Sequence, residues 1–199
     1  MGRTRDAALA GAVRAVAKYG ARKATMGDIA MLAGIAKATL YNHFRTKPEV
    51  YRATVAAEVD AIAAAAMARL DHGLDSVLAE AARLVGEHPA VRKIANGEPE
   101  TLAALASIGG GTAWKAVHDH VADAIRAAGF HDASAGVDLV LRYLASQLLT
   151  PSDDAARAGE ARLLAAALRV GSERVVGPQV GSAGTSTSSD PPSPRRPTG

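Results

Sequence analysis

Cysteine is absent from this chain of 199 residues, which excludes disulfide bonds, zinc–thiolate sites and thiol catalysis. Aromatic residues make up only 4% of a chain that is 48% hydrophobic, so its core must consist mainly of Ala, Leu, Val and Ile. The apolar stretch without a charge from about Thr101 to Trp114 is shorter than the roughly 18 residues that a membrane-spanning helix needs. These absences predict a cytoplasmic protein without a membrane segment.

Strand patterns and catalytic motifs are also missing. No stretch alternates polar and apolar residues for long enough to form a strand, which predicts an all-α fold. The glycines at 109–111 lack the Gly-Lys-Ser/Thr ending of a phosphate loop. His118 and His120 would point about 200° apart on a helix, so one metal ion could not bind both. We therefore expect no enzymatic activity, metal or cofactor. An enzyme on a helical scaffold is the hypothesis with the least support, after the two hypotheses given at the end of this section.

Charge is distributed unevenly along the chain. Residues 1–52 contain ten Lys and Arg against three Asp and Glu, whereas residues 53–170 contain ten against fifteen. A basic N-terminal segment can be a solvated surface without a partner, or it can bind a polyanion. Because the basic segment coincides with the motif described next, double-stranded DNA is the expected partner.

The stretch from Thr25 to Tyr51 has the pattern of a helix-turn-helix. Gly34 separates two short helices at a point where a left-handed backbone is needed. Leu40 and Phe44, four residues apart, provide the inward face of the second helix. The face opposite them is small or polar, as in a recognition helix, and carries Ala38, Thr39, Asn42 and His43, with Lys37 and Tyr41 on its flanks.

The segment LAGIAKATLYNHFRTK resembles the DNA-binding domain of TetR-type transcriptional regulators. Its Tyr-x-x-Phe-x-x-Lys ending is more specific than a bare helix-turn-helix, and the resemblance covers about the first quarter of the chain. The matching residues are Thr25, Ile29, Ala30, Ala33, Gly34, Lys37, Thr39, Leu40, Tyr41, His43, Phe44 and Lys47.

The resemblance implies that Tyr41 and His43 contact DNA phosphates and that Lys47 clamps the backbone, although a buried wedge is the alternative for Tyr41. Thr39 and Lys37 have the chemistry to reach base edges. Thr25 is placed to cap its helix with Asp28, and it can also meet a phosphate. The predicted DNA-binding set is Thr25, Lys37, Ala38, Thr39, Tyr41, Asn42, His43 and Lys47.

Three regions are expected along the chain. Residues 1–46 form a three-helix DNA-binding domain, residues 47–170 a helical ligand-binding and dimerisation domain, and residues 171–199 a disordered tail rich in Gly, Ser and Pro. A long helix from Lys47 to about Leu70 joins the two domains. A second long helix is predicted from Glu100 to Ala128, with a kink, break or close contact at its three glycines.

In the family that the chain resembles, the second domain binds a small molecule between its helices. Candidate lining residues are Met67, Trp114, His118 and Tyr143, and core packing is the alternative role for each. The resemblance implies a homodimer, formed through helices at 134–150 and 153–170, on a pseudo-palindromic operator. The chain is thus expected to be a sequence-specific transcriptional regulator, a repressor released by a largely apolar ligand. The alternative is an effector-less regulator controlled by its abundance.

Overall fold

A computed structural model describes residues 2–107, 112–130 and 134–175. The described chain is helical, without strands, which confirms the all-α prediction. None of its helices is long and apolar enough to cross a membrane. The helices are α1 (Gly2–Tyr19), α2 (Met26–Ala33), α3 (Lys37–His43), α4 (Lys47–Met67), α5 (Leu74–Glu87), α6 (Pro89–Ala95), α7 (Pro99–Ala106), α8 (Thr112–Ala127), α9 (Ser134–Leu149) and α10 (Asp154–Val175), with a short 3-10 turn at Leu70–His72.

Helices α1 to α3 and the start of α4 enclose the first hydrophobic core. Its centre is built from small alanines of α1 together with the fully buried Ile29 and Leu40. Gly11 permits this close packing, because a Cβ at its position would lie 2.6 Å from the Cβ of Ala33. Gly34, with φ of 69°, turns the chain between α2 and α3 in the left-handed conformation that the sequence predicted. This core fixes α3 against α1 and α2.

Helix α4 runs from the first core into the second. Thr46 accepts a hydrogen bond from the backbone N–H of Glu49 and caps the helix, and Pro48 occupies its first turn. Its 21 residues extend about 31 Å at 1.5 Å per residue. The helix was predicted to end near Leu70 but ends at Met67. Leu70 itself begins a 3-10 turn. It packs against α1 at one end and against α5 and α8 at the other.

The second core lies among α4, α5, α8, α9 and α10. Helix α5 is central to it, packing on α4, α9 and α10. Its range, Leu74–Glu87, agrees with the prediction. A third, smaller cluster joins Val16 of α1 to Ala90, Ile94 and Leu102 of α6 and α7. The helix-turn-helix bundle, α1 to α3, is therefore fixed to the C-terminal helices by α1 as well as by α4.

Two predicted helix ranges were wrong. The single helix expected from Glu100 to Ala128 is divided into α7, which ends at Ala106, and α8, which begins at Thr112. The three glycines, at which a kink, a break or a close helix contact was expected, lie outside the described residues. Helix α10 continues to Val175 rather than ending at Val170, so the first five residues of the predicted tail are helical. Residues 176–199, the rest of that tail, lie outside the described residues.

Candidate functional site

Helix α3 is anchored by two apolar side chains, Leu40 and Phe44, which are buried in the first core. The guanidinium of Arg5 lies 5.6 Å from the centroid of the Phe44 ring and covers this anchor from α1. Ala36, at the N-cap of α3, forms no side-chain hydrogen bond to the helix, as its lack of a polar group predicts. The helix is therefore held by packing rather than by capping.

The outward face of α3 carries the predicted contact residues. Lys37, Ala38 and Asn42 are exposed, and Thr39 and His43 are half-buried. Tyr41 is 42% exposed, which excludes the buried wedge that was the alternative for this ring. The ammonium of Lys37 lies 6.0 Å from the centroid of the Tyr41 ring. These side chains form one small, polar and basic surface.

Thr25 caps α2 in a reciprocal capping box, as predicted. Its Oγ1 accepts from the backbone N–H of Asp28 at 3.2 Å, and its own N–H donates to Asp28 Oδ2 at 2.9 Å. The hydroxyl also donates to Asp28 Oδ2 at 2.6 Å, and this bond is the main reason that the pKa of Asp28 lies below its usual range. The hydroxyl proton is thus already used within the protein, and a phosphate would have to compete for it.

Lys47, for which the resemblance implied a DNA-backbone contact, makes its contacts in this structure within the protein. Its Nζ lies 3.2 Å from the carbonyl oxygen of Ala21, 3.0 Å from that of Arg22 and 3.0 Å from that of Ala24. An ammonium has three N–H donors, so all of them are occupied. Lys47 therefore fastens the α1–α2 loop to the start of α4 and has no free donor for a DNA phosphate.

Tyr51 and Glu98 hold the same loop, and sequence reasoning missed both roles. The phenol of Tyr51 donates to the carbonyl oxygen of Ala21 at 2.9 Å. Burial raises the pKa of Tyr51 to about 12, so the donor stays protonated at neutral pH. Glu98, only 6% exposed, accepts from the backbone N–H of Arg22 and from the hydroxyl of Thr101. No local sequence signal links positions so far apart.

An apolar cavity of about 390 Å³ lies between the two cores. Its wall comes mainly from α4, α5, α8 and α9, with additions from α1, α6 and α7. Its volume lies within the range of about 300–1,000 Å³ that is typical of small-molecule sites. Tyr51 and Thr101 belong to both the wall and the network that holds the α1–α2 loop. The cavity is therefore in contact with the groups that position the α1–α2 loop of the helix-turn-helix bundle.

Two of the four predicted lining residues lie elsewhere. Met67 and Trp114 line the cavity, and Trp114 Nε1 donates to the carbonyl oxygen of Leu105 at 2.9 Å. His118 is on the exposed side of α8, because the cavity side is taken by positions 114, 117 and 121. Tyr143 packs against the second core, where burial raises the pKa of its phenol to about 12. Neither His118 nor Tyr143 reaches the cavity.

The polar groups of the wall are few. Glu58 Oε2 lies 3.1 Å from His88 Nε2, and Asp60 Oδ1 lies 2.9 Å from Nε2 of His120. In the described ranges no group of three or more His, Cys, Asp or Glu side chains is arranged to hold a metal ion. His120 contacts α4 while His118 faces outward, in agreement with the predicted divergence of the two rings.

Residues 8–54 match the family model for bacterial regulatory proteins of the TetR family. The N-terminal quarter of the chain is therefore similar to TetR-family regulators. The matched range contains the capping box, the recognition helix and the Lys47 contacts. The structure also resembles the TetR family repressor AlkX from Dietzia sp. strain DQ12-45-1b, with a TM-score of 0.64 and 18% identity, over 82% of this chain and 97% of that chain. No curated protein matches the chain. The similarity of fold to AlkX thus extends well beyond the matched N-terminal segment.

Proposed function

We propose that this TetR-family protein is a transcriptional repressor that leaves its operator when a small, largely apolar molecule occupies the cavity. The observation that carries the proposal is the cavity itself, whose wall includes Tyr51 and Thr101. Both residues contribute to the hydrogen bonds that hold the loop before the helix-turn-helix. A ligand that displaces either group has a direct route to the DNA-reading bundle.

DNA contact is proposed for the outward surface of α3. Lys37, Tyr41 and His43 have donors for phosphates, and Lys37, Thr39 and Asn42 have the chemistry to reach base edges. With Ala38 in the middle of this face, direct base contacts are few, so DNA shape should contribute to specificity. Lys47 and Thr25 support this surface from behind rather than forming part of it.

We further propose a homodimer on a pseudo-palindromic operator. Recognition helices of a symmetric dimer must be about 34–36 Å apart to read successive major grooves. Support for contact through α9 and α10 comes from large apolar side chains that lie exposed there: Leu139, Leu149, Leu163 and Val170. In this arrangement residues 1–46 read DNA, the remaining helices sense the ligand and dimerise, and the protein acts in the cytoplasm.

Ligand-dependent release follows from population shift. The ligand shifts the equilibrium by no more than its difference in affinity between the bound and released conformations. AlkX, which has a similar fold, is described as a repressor implicated in biodegradation of n-alkanes, which agrees with an apolar ligand. The open cavity favours a ligand-responsive repressor over the alternative, a regulator controlled by abundance, whose core would be filled.

The test has two stages. Operator DNA is first selected from a random pool with the full-length protein, and apolar compounds are then screened for release of that DNA. We expect a pseudo-palindromic sequence and release by at least one compound. Selection of an asymmetric or random sequence would contradict the proposal that a symmetric homodimer binds the operator. An operator complex that no cavity-binding compound releases would favour control by abundance.

A further inference from the structure

The cavity wall is apolar but carries one acidic side chain, Glu58 of α4. Among its described residues the wall contains no Lys or Arg. The remaining polar groups are two histidines, two threonines, Tyr51 and Trp114. The charge of the wall is therefore negative unless a histidine is protonated, and no permanent cation balances it.

Glu58 has an unused hydrogen-bond acceptor. Its Oε2 is paired with His88 Nε2 at 3.1 Å, whereas Oε1 has no partner within the described part of the chain. The side chain of Glu58 is 36% exposed and that of His88 is 15% exposed. The carboxylate is thus fixed by one oxygen and open at the other, at the edge of an apolar volume.

We propose that the ligand is an apolar molecule that ends in a hydrogen-bond donor, an amine or an alcohol, and that this end binds Glu58. This inference rests on the proposed ligand-responsive function. A donor satisfies the open oxygen, and an ammonium also gains from the opposite charge of the carboxylate. An acid would bring a second negative charge beside Glu58, and no Lys or Arg of the wall could neutralise it.

The protein carries its own reporter for this binding. Trp114 is the single tryptophan of the chain and lines the cavity, so a bound ligand should change its fluorescence. The full-length protein is titrated with decylamine, 1-decanol and decanoate, which share one chain and differ in the end group. We expect decylamine to bind most tightly, 1-decanol next and decanoate most weakly. Release of operator DNA should follow the same order.

The variant Glu58→Gln keeps the size of the side chain and removes its charge. We expect its affinity for decylamine to fall by about tenfold, as for loss of a close charge pair, and its affinity for decanoate to rise. Asp60→Asn is the matched control, because Asp60 lies on the same helix but outside the cavity wall. Asp60→Asn should leave the order of the three affinities unchanged. Melting curves of both variants establish that they are folded.

The outcomes separate the two proposals. If decanoate binds as tightly as decylamine, or if Glu58→Gln leaves the order unchanged, the ligand class is wrong while ligand-responsive release stands. If none of the three probes changes Trp114 fluorescence, the ligand class is again wrong. If probes bind in the expected order but release no operator DNA, the ligand class stands and the proposed function fails.

Discussion

The carboxylate of Glu98 accepts the backbone N–H of Arg22 at 3.1 Å through Oε1 and 3.2 Å through Oε2, although 76 positions separate the two residues. Gly20 lies directly against Glu98, and a Cβ there would be 2.2 Å from Oε1. The contact joins the α6–α7 turn to the loop that leads into the helix-turn-helix. It supplies a connection between the two cores that does not pass through α4.

Replacing Glu98 should weaken this connection. Glu98→Ala leaves the Arg22 N–H without its acceptor, which should lower the free energy of unfolding by about 1–3 kcal/mol. Thermal and denaturant unfolding measure the loss. Glu100→Ala is the control, because the Glu100 side chain is 92% exposed and its nearest cation, Arg22, is 4.0 Å away. Equal stability of the two variants would contradict a role for Glu98 in holding the loop.

Substitution of Lys47 should affect mainly the stability of the protein, whereas substitution of Lys37 should affect mainly DNA binding. Lys47→Ala removes three hydrogen bonds to loop carbonyls, so it should lower stability by about 1–3 kcal/mol. Lys37→Ala removes an exposed charge from α3 and should leave stability unchanged, while making binding less dependent on salt. Unfolding curves and mobility shifts at several salt concentrations distinguish the two effects. A Lys47→Ala protein of wild-type stability with a reduced salt slope would restore the phosphate-clamp interpretation.

The two tyrosines of this region provide a similar comparison. Tyr41→Ala should weaken binding to operator and random DNA alike, because the exposed ring is placed to meet the phosphate backbone. Its melting temperature should stay near that of the wild type. Tyr51→Phe should instead lower stability, since it loses the bond to the Ala21 carbonyl. Unchanged mobility shifts for Tyr41→Ala would show that α3 docks in another orientation.

The oligomeric state depends on exposed leucines of the last helices. Leu163 is 74% exposed, and a charge there should oppose burial in a dimer interface. Sedimentation at micromolar protein should give a dimer for the wild type and a shift toward monomer for Leu163→Glu. Met31→Glu is the control, because Met31 is also exposed but lies on α2. A wild-type monomer would contradict the symmetric arrangement.

Features that depend on neighbouring residues could be predicted from the sequence. The capping box of Thr25 and Asp28 spans three positions, and the turn at Gly34 needs only a backbone that tolerates a positive φ. Leu40 and Phe44 are buried where a spacing of four places them on one helix face. The separation of α7, which ends at Ala106, from α8, which begins at Thr112, agrees with the break that was one of three outcomes expected within the predicted 100–128 helix, because glycines are poor helix formers.

Features that depend on residues far apart in the chain could not be predicted from the sequence. Lys47 is as suitable for a phosphate as for a carbonyl oxygen, and the sequence does not reveal that three carbonyls converge on it. His118 was assigned to the ligand site by its chemistry, but the rotation of α8 places His120 on the wall instead. Glu98 lay in a turn that carried no functional motif.

The sequence by itself determined the helical class, the helix-turn-helix and the N-terminal similarity to the TetR family, because these follow from short-range spacing, caps and a contiguous motif. Only the tertiary structure decided which lysine is bound to loop carbonyls, which residues line a cavity and how that cavity meets the α1–α2 loop. The physical reason is that a side chain's donors and charge acquire a role only from the groups that folding brings within hydrogen-bond distance. In this chain those groups are 23 to 76 positions away.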